Sequence, residues 1–569
     1  MKSGEKYLIL GGGGMIGRQI AHEISSSLSP ASILIWSMSE AEVQRAVEPL
    51  SKQFSKVKFE GVWGDMFLRS EWTAAGGARQ RRDLLDSAAD RAKLLEDLLD
   101  DMNAADERST FANVIRDFKP GVIVDAVNTA TGISYQDVFT TSHAARKALG
   151  ELLAESAADS GSFSLESFAQ TLETLLLSQS IPQLIRHVLI IKNAMVDAGT
   201  RLYLKVGTTG TGGMGLNIPY THSEDKPSTA LMTKTAIAFA HTGLLFLMAR
   251  TPGCPVVKEL KPGALVGYAN IERRKQIRDH KQGGIVQVYE TRTERLGAAL
   301  DLREAPDKYR ELRPLEAVVI DTGENGIFTR GEFEAITHIW QMEFITPEEI
   351  AEQVVLEIKG SNTGYDVIAA IDSAVMNPTY RAGYLRQFAL NDVARLEKQT
   401  GLPSVALGQL GPPELGKLLW EAFLLKTQYA TLTAVLAKKP QSLSEELFTL
   451  VQRDAGLQQA MAAVGLPILT PAGDSLIRGP FIRIPEIPNV TKPALTPEAV
   501  NAWADKGWID LRPANMQRWV DRIARMNASS RDTHGCGSAA FTRESYVGDE
   551  ISIGAVVGWI FNIEGYRIK

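Results

Sequence analysis

The chain has 569 residues, 44% of them hydrophobic, enough to bury a large core and long enough for two to four domains. Its formal net charge of −6, with no basic stripe, argues against a nucleic-acid partner. Two cysteines, Cys254 and Cys536, cannot make a disulfide framework and fit a reducing cytosol. No signal peptide is evident, and the longest apolar stretch, 236–249, contains His241 and is too short to span a bilayer, so a soluble cytoplasmic protein without a membrane partner is expected.

Residues 7–10, YLIL, form a short, fully apolar run, as a buried parallel strand would. Gly11, Gly14 and Gly17 follow with GxxGxxG spacing, with Met15 and Ile16 between the last two; Gly12, Gly14 and Gly17 also satisfy GxGxxG. Ile16, Ile20, Ala21 and Ile24 then recur at helical spacing. In a strand–turn–helix context, side chains at these positions would keep a pyrophosphate from the main-chain N–H groups at the helix N-terminus. A flexible linker would need a polar flank, and both flanks here are apolar. The next strand, ILIW at 33–36, is followed by Ser37 and Ser39 where an NAD site would carry an acid. The serines can hydrogen-bond a ribose phosphate, and Glu40 would reach a 2′-hydroxyl if the turn bends back. The balance favours NADP over NAD.

Further landmarks follow in order: VKFEGVWGDM at 57–66, VIVDAVNT at 122–129, IIKNAMVDAG at 190–199, LYLKVGTT at 202–209 and KELKPGALVG at 258–267. They read as strand, strand, helix with a C-cap glycine, strand, and strand with a proline turn. This order resembles the extended or atypical short-chain dehydrogenase/reductase superfamily, of the NAD-dependent epimerase/dehydratase kind. The resemblance implies an α/β fold, a Rossmann-type doubly wound parallel sheet. It also implies that Asp65 and Met66 contact adenine, that Val127, Asn128 and Thr129 pass beneath the nicotinamide ribose, that Thr208 opens the catalytic loop, and that Pro262 borders the nicotinamide. Two insertions interrupt the match, near 68–118 and 137–182. In the first, Leu84, Leu85, Ala88, Ala92, Leu95, Leu98, Leu99 and Met102 share one helical stripe, read as an amphipathic helix covering the sheet. The second gives one or two helices around Ser160-Gly-Ser162, able to build a dimer surface or deepen a pocket.

In this superfamily the fifth strand delivers a Ser or Thr to the reacting oxygen, and a Tyr-x-x-x-Lys helix supplies a proton donor and the lysine that acidifies it. Here Gly210 falls at the Ser/Thr position, flanked by Thr209 and Thr211. The lysine is Lys234, which also holds the nicotinamide ribose by the resemblance, but Ala230 stands where the tyrosine belongs. Three explanations compete: Tyr220 donates the proton; a group from the C-terminal half or the substrate handles it; or the protein only binds the dinucleotide. Against these stand the plain readings of Tyr220 as a packed aromatic and Lys234 as a solvated lysine.

Residues 317–334 read as strand, Gly/Asn turn and helix, and Thr346-Pro-Glu-Glu349 as a capping box opening another helix. Beyond 360 no resemblance is evident. Asn377–Gly383 reads as a surface turn in which Arg381 could instead fork onto a carboxylate or phosphate. Residues 415–436 and 443–464 read as helices, 467–497 as an extended connection, and 554–561 as a terminal apolar strand. Asp532-Thr-His-Gly-Cys-Gly537 reads as a tight turn rather than a nucleophile or metal site, and no metal is expected. The expected division is a Rossmann-type domain over 1–360, with substrate-side elements after 270, and a mainly helical substrate, lid or oligomerisation region over 361–569. The expected function is NAD(P)-dependent hydride transfer with a carbonyl or alcohol of a small organic or sugar-like substrate. The alternatives are an epimerase, dehydratase or lyase using bound NAD(P) without net redox change, and a non-catalytic dinucleotide-sensing scaffold. The expected partners are a small-molecule substrate and a second copy of the chain, a homodimer.

Overall fold

A computed structural model describes the chain apart from residues 1–3, 74–78, 80, 134–137, 159–163, 208–228, 263–266, 279–283, 324–325, 339–344, 362–365, 369–370, 377–379, 410–411, 485–490, 532–547 and 565–569. The chain forms two compact units. The first comprises Met1–Thr211, Lys226–Val266 and Phe344–Thr379; the second comprises Gly212–Asp225, Gly267–Glu343 and Tyr380–Lys569. The units interleave in sequence instead of meeting at one boundary near 360, because helix Pro347–Lys359 and strand Ile371–Met376 return to the sheet of the first unit.

The first unit contains β1 (Lys6–Leu10), α1 (Met15–Leu28), β2 (Ser32–Ser37), α2 (Glu40–Gln53), β3 (Lys58–Trp63), β4 (Val122–Asp125), β5 (Leu202–Val206) and β6 (Val256–Pro262). These six strands pair in parallel in the order β3-β2-β1-β4-β5-β6. Ile371–Met376 extends the sheet in parallel beyond β6, and Asp366–Ile368 closes it antiparallel. Right-handed crossovers from this order send helices to both faces and leave a crevice where the order reverses, between β1 and β4.

The central strands β1 and β2 are buried along nearly their whole length because both faces of the sheet are covered. On one face Ile9, Ile35, Val124 and Leu204 pack with Ile20 and Ile24 of α1 and with Ile350 and Val354 of helix Pro347–Lys359. That helix starts with the expected capping box: Thr346 N–H donates to Glu349 at 2.8 Å and Glu349 N–H donates to the Thr346 hydroxyl at 3.2 Å. On the other face Leu8, Leu10, Ile123 and Tyr203 pack with Phe111, Ile191 and Leu245, from helices Thr110–Phe118, Ser180–Ala198 and Thr229–Ala249. Helix Thr229–Ala249 runs beyond the apolar stretch seen in the sequence, and by length and composition it could cross a membrane. Its stripe of Ile237, His241, Leu245 and Met248 is nonetheless buried in this unit.

In the first insertion the expected single helix is broken at Ser87, whose side chain caps helix Ala88–Leu99. Leu84, Leu94 and Leu98 join Leu68, Trp72 and Leu177 in a small core of their own, bringing the two insertions together.

The second unit carries three small sheets among its described residues, with Glu316–Asp321 central to one of them, antiparallel to both Asn270–Lys275 and Ile327–Phe328. Helices Tyr380–Thr400, Pro413–Tyr429, Pro440–Arg453, Pro513–Arg531 and Ile553–Glu564 supply most of the rest. Three expectations are corrected here. Residues 380–383 begin a helix rather than a turn. The stretch expected as an extended connection contributes two short paired strands, Ile468–Leu469 and Ser475–Arg478. The apolar run at 554–561 is helical, not a strand: Gly554 and Gly558, one turn apart, let it lie against Glu334 and His338, where an added Cβ would stand 2.4 Å and 2.5 Å from side-chain carbons. A run apolar on every side carries no period to separate the two choices.

Candidate active site

The glycine turn leaves the C-terminal end of β1 and enters α1. Gly11 adopts φ +73°, in the left-handed region that favours glycine. Its carbonyl accepts the Gly14 N–H at 3.0 Å, while the Gly12 N–H donates to Trp36 O at 3.0 Å. A Cβ on Gly17 would lie 2.3 Å from Gly11 O and 2.6 Å from Gly12 Cα, so only glycine lets the helix rise this close to the turn. Gly14 is the exposed N-cap of α1 and brings no side chain to its first turn; Met15 and Ile16 are its first helical residues, and that turn holds no acidic group.

Ser37 and Ser39 are both engaged within the chain. The Ser37 hydroxyl accepts the Gly13 N–H at 2.8 Å, bracing the turn from β2, and Ser39 caps α2. Asp65 pairs with the buried Arg81 at 2.9 Å and accepts the Phe67 N–H, while Met66 is buried beside it. Arg18 is none of the motif glycines, yet its Nε is buried on the first turns of α1 without a hydrogen-bond partner among the described residues.

β4, β5 and β6 carry a polar row that in the sequence shows only as single charges in β4 and β5 and as three charges in β6. Parallel register sets Asp125 beside Lys205 and Lys205 beside Glu259. All three are buried. Lys205 Nζ lies 2.9 Å from Asp125 and donates to Val127 O at 2.7 Å and the Thr129 hydroxyl at 3.0 Å, satisfying its three protons. It therefore ties down the segment from Val127 through Asn128 to Thr129. Tyr203 donates to the same carboxylate oxygen of Asp125 as Lys205, and the Val127 N–H donates to the other at 2.9 Å. Burial works against ionised Asp125, but Lys205 and Tyr203 outweigh it and hold its pKa below the usual carboxylate value. Burial, reinforced by Asp125, raises the Tyr203 phenol well above its ordinary range.

Glu259 accepts from Lys261 at 2.9 Å and Thr242 at 3.2 Å through one oxygen; its other oxygen, Oε2, is buried with no partner among the described residues. Gly207 passes so close that an added Cβ would stand 2.5 Å from the bonded oxygen. Pro262 ends β6, directly after Lys261 and in register with Met376 of the next strand.

His241 and His187 pack against this region with their rings 6.2 Å apart. Burial first, and the Lys205 charge with it, keep both imidazoles neutral against the pull of Asp125, with the His187 pKa pushed down to about 4. His241 Nε2 is likewise buried without a partner among the described residues. Lys234 is half-buried on helix Thr229–Ala249. Thr208, Thr209, Thr211 and Tyr220 lie outside the described residues, as do Gly210 and the 532–537 turn. Among the described residues no group of three or more His, Cys, Asp or Glu could hold a metal ion.

The glycine turn and the reversal of strand order next to it carry the resemblance at the level of fold. The first unit is a Rossmann-type doubly wound α/β fold. Residues 285–565, just under half of the chain, match the family model of the β-methylindole-3-pyruvate reductase C-terminal domain. No curated protein matches the sequence. Among solved structures, L-sorbose reductase from Gluconobacter frateurii, complexed with NADPH and L-sorbose, is 13% identical with a TM-score of 0.30, covering 66% of this chain and 95% of that one. A short-chain dehydrogenase from Sphingobium yanoikuyae in complex with NADPH is 11% identical with a TM-score of 0.28, covering 70% and 96%. Pen from Bacillus thuringiensis is 9% identical with a TM-score of 0.22, covering 46% of this chain; the match spans about half of its length, 49%.

Proposed function

We propose that this protein is an NAD(P)-dependent oxidoreductase that reduces a carbonyl, or oxidises the matching alcohol, of a small organic substrate. The observation that carries the reading is the glycine cradle: a turn with no room for a Cβ at Gly17, opening on an uncapped helix N-terminus at the crevice of a doubly wound sheet. The match of residues 285–565 to a reductase domain supports it, and makes an aromatic 2-oxo acid the first substrate class to test. When bound, the nicotinamide supplies or accepts the hydride. In this reading Gly11, Gly14, Met15, Ile16 and Gly17 hold the pyrophosphate, Asp65 and Met66 border the adenine, and Lys205 positions Val127–Thr129 under the ribose. Ser37 and Ser39, standing where an NAD site would carry an acid, favour NADP over NAD. Lys234 would hold the ribose and Thr208 would contribute to the cofactor site; Thr209 or Thr211 would bind the reacting oxygen, Tyr220 would be the proton donor, and Pro262 would border the ring.

A second copy of the chain is the proposed partner, in the cytoplasm. Support comes from exposed Ile181, Ile185 and Leu189 on helix Ser180–Ala198, and from Phe239 and Leu247 on the adjacent helix Thr229–Ala249.

The test is fluorescence titration with NADPH and NADH, followed by turnover assays on 2-oxo acids. Binding of NADPH, and turnover lost in Lys234→Ala, is the expected result; absence of binding by either dinucleotide overturns the reading. Ala230 in place of the tyrosine favours a second reading, a dinucleotide-binding scaffold without catalysis. That reading predicts binding with no turnover, and a Lys234→Ala variant altered only in affinity.

A further inference from the structure

Within the second unit, Arg386 stands on helix Tyr380–Thr400 as a largely enclosed guanidinium with no ion-pair partner among the described residues. Its Nε donates to the Thr337 hydroxyl at 2.7 Å and its Nη2 makes a long bond to the Glu334 carbonyl at 3.5 Å. An arginine has five N–H donors, so the remainder of the fork is uncommitted. The acidic side chain that bears on it is no substitute: the Glu334 carboxylate is already taken by the Ser552 hydroxyl and the Gly554 N–H.

His338 completes the surroundings. It sits against Gly558, where a Cβ would come within 2.5 Å of its own Cβ, so the glycine makes the space it occupies. Burial and then the adjacent Arg386 charge push its pKa down to about 4, leaving a neutral imidazole beside the guanidinium. Arg386 and His338 are both partly exposed, hence reachable from solvent. Arg381, which the sequence offered for an anion, is instead exposed and already engaged elsewhere.

We propose that Arg386, steadied by Thr337 and flanked by His338, is the receptor for the carboxylate of a small monoanionic ligand. A partly buried cation without a counter-ion is costly, and a planar carboxylate matches the free edge of a guanidinium. Charge decides against a phosphate dianion: among the described residues the site holds one cation and a neutral imidazole, with the Glu334 carboxylate close by. The site stands on the geometry of the second unit and does not depend on hydride transfer.

The test compares the full-length wild type with Arg386→Met. Thermal unfolding is followed with acetate or pyruvate, with inorganic phosphate, and with chloride, all at equal ionic strength. The carboxylates should raise the wild-type midpoint by about 1–2 °C at concentrations well above their Kd, phosphate and chloride should not, and Arg386→Met should lose the response. Without ligand, Arg386→Met should be at least as stable as wild type, because it removes an unpaired cation. The proposal is overturned if carboxylates act no differently from chloride, if phosphate stabilises equally, or if Arg386→Met keeps the carboxylate response. Because no nicotinamide enters the assay, its failure leaves the oxidoreductase reading standing, and the converse also holds.

Discussion

Each unit buries an acid–base group, and the two groups are finished differently. In the second unit Lys417 and Glu421 pair at 2.9 Å one helical turn apart, and Glu421 also accepts the Asp510 N–H at 2.8 Å and the Trp519 indole N–H at 2.7 Å. Both oxygens are engaged and both residues are almost fully buried. In the first unit, the row Asp125–Lys205–Glu259 is saturated at its Asp125 end but leaves Glu259 Oε2 and the neighbouring His241 Nε2 without partners among the described residues. A saturated buried pair makes a packing element. A buried acceptor without a donor is a cost the fold alone does not explain, and here it lies at the carboxyl ends of the strands, where ligands of this fold class bind.

The largest expected effect tests the saturated group. Glu421→Ala strands Lys417, the Asp510 N–H and the indole of Trp519, and should cost on the order of 3–5 kcal/mol in urea unfolding. A loss below about 1 kcal/mol would remove the contrast between the units. Next, Gly17→Val should abolish the cradle: NADPH affinity should fall by about 100-fold or more, with near-native circular dichroism confirming the fold. Retained affinity would place the dinucleotide elsewhere.

Protonation sharpens the comparison further. His187 in the first unit and His338 in the second are each held at about 4 against an ordinary value near 6.5. Because the unfolded chain takes up the proton first, their contribution is full above the unfolded pKa and is lost as pH falls from about 6.5 toward 4, at roughly 1.4 kcal/mol per pH unit for each. His241, shifted in the same direction, adds to the first unit. Thermal midpoints between pH 7 and 5 should therefore fall less steeply in His187→Gln and in His338→Gln, and an unchanged slope would contradict the assignment. The smallest effect is expected at Glu259→Gln. The bonded oxygen can remain an acceptor, so stability should change by about 1 kcal/mol or less, far below Glu421→Ala. Equal losses would make the two groups alike.

Much of the first unit was legible because its signals are local. The six strands are short runs rich in apolar residues, the cradle glycines announce themselves by spacing, and Thr346 with Glu349 specifies a helix start within four residues. The polar row was not legible: VIVD and LYLKV each read as a strand with one charge, and VVKELKP as a strand with three. A charge inside an apolar strand was the available signal, but nothing in the sequence says which charge faces which. In the second unit the run at 553–564 misled because its composition suits a buried strand and a buried helix equally.

The sequence by itself determined the elements whose physics is settled within a few residues: the tight turn at Gly11–Gly17, the capped helix after Thr346 and the apolar strands. Tertiary structure decided which of those elements become neighbours. Parallel register joined Asp125, Lys205 and Glu259 from three distant strands, and helix packing brought Arg386 beside His338. Both are non-local pairings. Their energy exists only once the backbone is assembled, so no local pattern in the sequence records them.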